Sequence, residues 1–140
     1  MKRLIALTAL LAAVAVPTVA FGDLIGDDLK VSDHGTTAQV VSVSGGQAVQ
    51  LNYFYSGLGS QTATITVSAP FTCTNNGGNQ PPGQISGSSG PITPDHGNVS
   101  GTITTAAASC PDHMAPLIGP TVTVVVTKAD GTSTVFTYTV

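Results

Sequence analysis

Every histidine in this 140-residue chain follows an aspartate: Asp33-His34, Asp95-His96 and Asp112-His113. Imidazole beside carboxylate is a donor set that zinc and copper use, which makes His34, His96 and His113 candidate metal ligands. Their spacing matches no zinc motif. The same residues fit a plainer role, because in Asp33-His34-Gly35 and Asp95-His96-Gly97 the carboxylate can accept a bond from the backbone two residues on while glycine takes a positive φ. Turns are the expectation, and a metal site is the alternative.

The two cysteines, Cys73 and Cys110, also admit two chemistries. In an exported chain they pair, and a disulfide closing that segment stabilises the fold by roughly 4 kcal/mol through the lost freedom of the unfolded chain. It would clamp the polar run from Asn75 to Gly83 at its base, with Asn75, Asn76, Asn79 and Gln80 as a candidate binding loop. The other chemistry is a blue-copper centre, since Cys110-Pro111-Asp112-His113-Met114 holds thiolate, imidazole and thioether types. Against it, Met114 directly adjoins His113, and a free Cys110 would leave Cys73 unpaired. The disulfide is expected.

Catalytic signatures are missing. There is no Gly-x-Ser-x-Gly elbow, P-loop, dinucleotide fingerprint or His-Glu-x-x-His, and the chain has no glutamate at all. A Ser/His/Asp site assembled in space stays open, because its members need not be neighbours in sequence. Tyr53, Phe54 and Tyr55 are the candidates for an aromatic platform on which a sugar could stack. Asn98-Val99-Ser100 matches a glycosylation acceptor. No enzyme activity and no cofactor are expected.

The elements that must position these residues begin after a leader. Met1-Lys2-Arg3 followed by the uncharged apolar run 4–20 reads as a secretory signal peptide over residues 1–22, with small residues at Ala20 and Gly22 predicting cleavage before Asp23 and cleavage after Ala20, through Thr18-Val19-Ala20, as the alternative. Residues 23–140 then form one domain of a size to bury a single core, with no membrane insertion after cleavage. The full chain carries a formal charge of −3, and without Lys2 and Arg3 of the leader residues 23–140 set two lysines, Lys30 and Lys128, against seven aspartates, 2 − 7 = −5. Such a surface cannot neutralise phosphates, so nucleic acid is excluded as a partner.

Threonine, valine, serine and glycine dominate, and no segment of good helix formers is long enough to matter, so an all-β fold follows. Segment 23–33 reads as a first edge strand and 37–44 as a second. In 47–55, Val49, Leu51, Tyr53 and Tyr55 share one face; in 62–69, Ala63, Ile65, Val67 and Ala69 do, with Pro70 ending the strand. Ser56 to Ser60 reads as a turn. Residues 74–98 read as a long loop with room for one short strand, Ile85 and Ile92 being its only anchors. Residues 98–105 return to strand periodicity, Val99 and Ile103 sharing a face. The last twenty residues form a hairpin whose three-residue loop, Ala129-Asp130-Gly131, aligns Val122, Val124 and Val126 with Tyr138, Phe136 and Thr134 and puts Gly131 at a bulge. About seven strands at these spacings predict an immunoglobulin-like antiparallel β-sandwich with one disulfide-closed loop, although no tryptophan packs against the cysteines as in antibody domains.

The residues Cys73, Asn75, Gly77-Gly78 and Pro81-Pro82-Gly83-Gln84, with Cys110-Pro111 downstream, resemble a pattern of small exported proteins of high-GC Gram-positive, actinobacterial type. The resemblance implies an exported bacterial protein and a disulfide, and carries over no activity. The sequence therefore predicts a secreted or cell-surface β-sandwich for binding or structural interaction, with a small metal-binding sandwich as the alternative. Its expected partner is a protein or a cell-envelope glycan. The chain is expected to be a monomer or an edge-strand oligomer, because its Val/Thr-rich terminal strands have only Lys128 as a guarding charge.

Overall fold

The computed structural model describes residues 30–75, 78–79, 82–111 and 114–140. The expected leader and residues 23–29 of the first expected strand lie outside these, as do Asn76, Gln80 and His113. The described chain is all-β, with ten strands: β1 (Ser32–Asp33), β2 (Thr37–Val43), β3 (Gly46–Ser56), β4 (Ala63–Asn75), β5 (Gly78–Asn79), β6 (Gly83–Ile92), β7 (Val99–Thr104), β8 (Ala115–Ile118), β9 (Thr121–Lys128) and β10 (Ser133–Thr139). Three of them have only two to four residues, and seven are six residues or longer.

Two antiparallel sheets result. In the first, β1 and β2 follow one another along one edge of β3, and β7 pairs its other edge. In the second, β4 is flanked on one side by β8 and then β9, which carries β10, and on the other by β6 and β5. The alternation read from sequence sets which faces meet. Val49, Leu51, Tyr53 and Tyr55 of β3 pack against Ala63, Ile65, Val67 and Ala69 of β4 and Val122, Val124 and Val126 of β9 in one buried cluster. Period-two side-chain placement makes this the only assignment in which both inner faces are apolar.

The C-terminal hairpin has the expected register, with Val122 opposite Tyr138, Val124 opposite Phe136 and Val126 opposite Thr134. Gly131 adopts a φ of 93° at the bulge, where its N–H donates to the Lys128 carbonyl.

Several expectations are corrected. Pro70 does not end its strand: β4 runs through it to Asn75. The reason is where its missing amide falls. β4 pairs β9 as far as Ser68 and β8 from Phe71 onward, so Pro70 lies opposite the Gly119–Pro120 junction, where the ladder is already interrupted and the Gly119 N–H donates to the Pro70 carbonyl at 2.9 Å.

The strand within 74–98 is not short, because β6 takes ten of its residues and lies along β4. Ile85 is a buried core residue, as an anchor should be. The disulfide-closed segment accordingly contains whole strands, β6 and β7. The turn after β3 holds a fully buried leucine, Leu58. Lys128 guards no edge, since it ends β9 on the inner face and is only 2% exposed. Across all ten strands the only charged residues are Asp33 and this lysine.

Candidate functional site

The strand directions divide the connections between two ends of the sandwich. At one end lie the β1–β2 turn and three loops, 57–62 after β3, 93–98 after β6 and 129–132 after β9. At the other lie the β2–β3 turn, the paired tail of β4 with β5, and residues 105–111 with the disulfide.

The first end is built around Leu58, whose side chain is buried and whose N–H donates to the Gly97 carbonyl at 3.1 Å. Gly57, at φ 86°, brings the backbone so close to the Lys30 carbonyl that a Cβ would collide with it, so only glycine fits. Gln61 then bridges to the third loop. Its Nε2 donates to Asp130 Oδ2 at 3.2 Å and its Oε1 accepts from the Asp130 N–H at 3.1 Å, while the Ala129 N–H donates to the Thr62 carbonyl at 2.9 Å. The Thr132 hydroxyl and then its amide bond Asp130 Oδ1, at 2.7 and 2.9 Å, and hold that carboxyl below its ordinary pKa.

The middle loop is a two-residue hairpin turn. Asp95 and Asn98 exchange backbone bonds at 2.9 and 3.0 Å around His96 and Gly97, both at positive φ, 55° and 82°. His96 Nδ1 donates to Asp95 Oδ1 at 2.7 Å, and both side chains stand about nine-tenths exposed, at 91% and 90%. The Asp33 pair is a turn as well: Oδ1 accepts from the Gly35 and Thr36 amides at 3.1 and 2.8 Å. That is the bond two residues on that the sequence predicts.

Asp33 also reaches across the sandwich. Its Oδ2 accepts from the Tyr138 hydroxyl at 2.9 Å, and that hydroxyl is 2.8 Å from the Tyr55 hydroxyl. Burial pushes both phenols well above their ordinary pKa. Tyr55 lies against Phe136 at 4.9 Å and Tyr53 at 6.2 Å between ring centroids.

His34 shares a 2.7 Å hydrogen bond with Ser56 through Nε2, a base beside a hydroxyl. It is a pair and not a triad, because the Asp33 carboxylate is engaged by its own turn and by Tyr138. Among the described residues no group of three or more His, Cys, Asp or Glu could hold a metal ion. His34 and His96 are each engaged by a neighbour, and His113 lies outside those residues.

Cys73 and Cys110 form the disulfide, with Cα atoms 5.6 Å apart. The blue-copper reading is thereby corrected, since Cys110 has no thiolate to offer. Of the candidate loop, Asn75 and Asn79 belong to paired strands, Asn75 opposite Gly78 and Thr74 opposite Asn79; Asn76 and Gln80 lie outside the described residues. Of the aromatic trio, Tyr53 and Tyr55 face the core, and Phe54 alone is turned out, 42% exposed, with its ring 5.6 Å from that of His34. The Gln61–Asp130 bridge and the Tyr138–Asp33 bond were not foreseen, because each joins residues 69 or more positions apart with no local signature. Among the described residues no helix is long and apolar enough to cross a membrane. Comparison with protein-family models, with curated proteins and with solved structures finds no match to this chain.

Proposed function

We propose that this chain is an exported immunoglobulin-like module that acts by binding a protein or cell-envelope glycan, without chemistry of its own, through the three-loop end of its sandwich. The immunoglobulin-like assignment rests on strand order. Counting β1 with β2, β5 with β6 and β8 with β9, the chain makes seven passes; the first, second and fifth form one sheet, and the fourth, third, sixth and seventh lie side by side in the other. This is the constant-type arrangement with its fourth strand moved to the opposite sheet. Export rests on the basic start and apolar run of the leader and on the disulfide, a bond that persists in oxidising compartments.

A fold does not assign a function, so binding rests on the loops themselves. The observation that carries it is the reciprocal Gln61–Asp130 pair, which with the Leu58–Gly97 and Ala129–Thr62 bonds ties three loops into one surface before any ligand arrives. Loops ordered in advance lose little freedom on binding. Exposed Asp95, His96 and Asp130 supply the polar contacts.

The test is retention on isolated cell envelope of the source cells. Asp95→Lys with His96→Ala is expected to lower the bound fraction by an order of magnitude, whereas Thr66→Lys on an outer sheet face leaves it unchanged. Equal retention of both variants would sink the loop assignment.

A further inference from the structure

The two long sides of the sandwich are finished differently. On the β6–β7 side the sheets are joined: the Ala106 N–H donates to the Ser86 carbonyl at 3.0 Å, and Gly87 sits so close to Ile103 and Thr105 that a Cβ there would stand 3.1 Å from each. The outer strand itself carries Pro91, Gly90 at φ 71° and a register shift opposite Thr64 to Thr66, with the Ser89 hydroxyl accepting the Ile65 N–H in place of a ladder bond. These are devices that stop a further strand from adding to an edge.

The β10 edge has none of them. No described strand pairs with its outer side, its ladder with β9 runs unbroken from Ser133 to Thr139, and it contains neither proline nor charge. The backbone groups that face outward follow from the bonds at its two ends. The Lys128 N–H donates to the Thr132 carbonyl and the Val140 N–H to the Pro120 carbonyl. Antiparallel ladder bonds recur every second residue, so Thr134, Phe136 and Tyr138 bond β9 while Ser133, Val135, Thr137 and Thr139 direct N–H and C=O away from it.

We propose that β10 is a self-association strand, pairing antiparallel with β10 of a second copy about a twofold axis at Phe136. In that register Ser133 meets Thr139 of the other copy and Val135 meets Thr137, so all four outward residues find partners and two second sheets join into one. A closed, isologous pair results. A second copy fits better than a foreign peptide for two reasons. Recognition of a foreign strand draws its selectivity from pockets for alternate side chains, and here Val135 stands out from the surface, 46% exposed, instead of lining one. The strand also adds no charge of its own to the repulsion between two negatively charged copies.

Sedimentation equilibrium of the exported chain, from micromolar to sub-millimolar concentration, tests this. A reversible dimer is expected for the unaltered protein. Thr137→Pro removes an outward N–H and no bond to β9, and is expected to raise the dimer dissociation constant by an order of magnitude or more with an unchanged circular dichroism spectrum. Val135→Lys, at an exposed position that keeps the backbone intact, is expected to do the same and serves should the proline variant fail to fold. An unaltered protein that stays monomeric throughout, or a dimer that survives Val135→Lys, would overturn the proposal.

Discussion

At one end of the sandwich a covalent bond, Cys73–Cys110, ties the tail of β4 to the segment after β7; at the other, three loops are joined by hydrogen bonds around one buried leucine. The two devices act on different states. A disulfide raises the free energy of the unfolded chain by shortening its reach, and does so wherever it sits in the native structure. The loop bonds exist only in the native state, where each must outweigh the water it displaces. Stability at the first end should therefore be insensitive to local shape, and at the second almost wholly dependent on it.

The largest effect should come from removing the covalent tie. Cys73→Ser with Cys110→Ser is expected to cost roughly 4 kcal/mol in urea unfolding, while envelope retention at temperatures where the variant is folded stays unchanged. Altered retention would mean that the two ends are not independent. Next comes Leu58→Ala, which empties a fully buried site and should cost about 3 kcal/mol, with faster hydrogen exchange at the loop amides around it. A loss no larger than that of a surface substitution would show that the loops are held by something other than this anchor.

The smallest effect concerns Asp130. Because its carboxyl is held below the ordinary value in the folded protein, the stabilisation is present above the unfolded-state pKa and fades as the pH falls through the folded-state value. Melting temperature followed from about pH 5 down to about pH 2 should decline less steeply in Asp130→Asn. Parallel curves would remove Asp130 from the account of the loop end.

Much of the fold was legible because two rules coincide in this sequence. In β3, β4 and β9 an apolar residue falls at every second, inward position while the positions between are mostly polar, which leaves one assignment of faces, and the Asp130-Gly131 turn then fixes the β9–β10 register. β6 was not legible for a packing reason: on its inner face only Ile85 is a large buried residue, since Gly87 must be small to let Ile103 and Thr105 approach. Pro70 misled because a strand's tolerance for proline depends on its neighbour's ladder, which local sequence does not contain. Lys128 misled in the same way, since a lysine at a strand end is usually solvated and this one is enclosed. The cysteine pair and the Asp33 turn were readable, the first from the expectation of export and the second from a bond within one short segment. The loop surface was not, because Gln61 and Asp130 meet only once β4 and β9 have paired.

The disulfide has a further consequence when the molecule is put under tension. Pulled from its two ends, the chain transmits force through the sulfur–sulfur bond, and the residues between Cys73 and Cys110, 37 positions apart in sequence, are bypassed. β6 and β7 can then be torn from their neighbours but not drawn out in line. The unfolded molecule is thereby shorter by a contour length of about 120 Å at about 3.4 Å per residue. Reduction would release that hidden length in a single step.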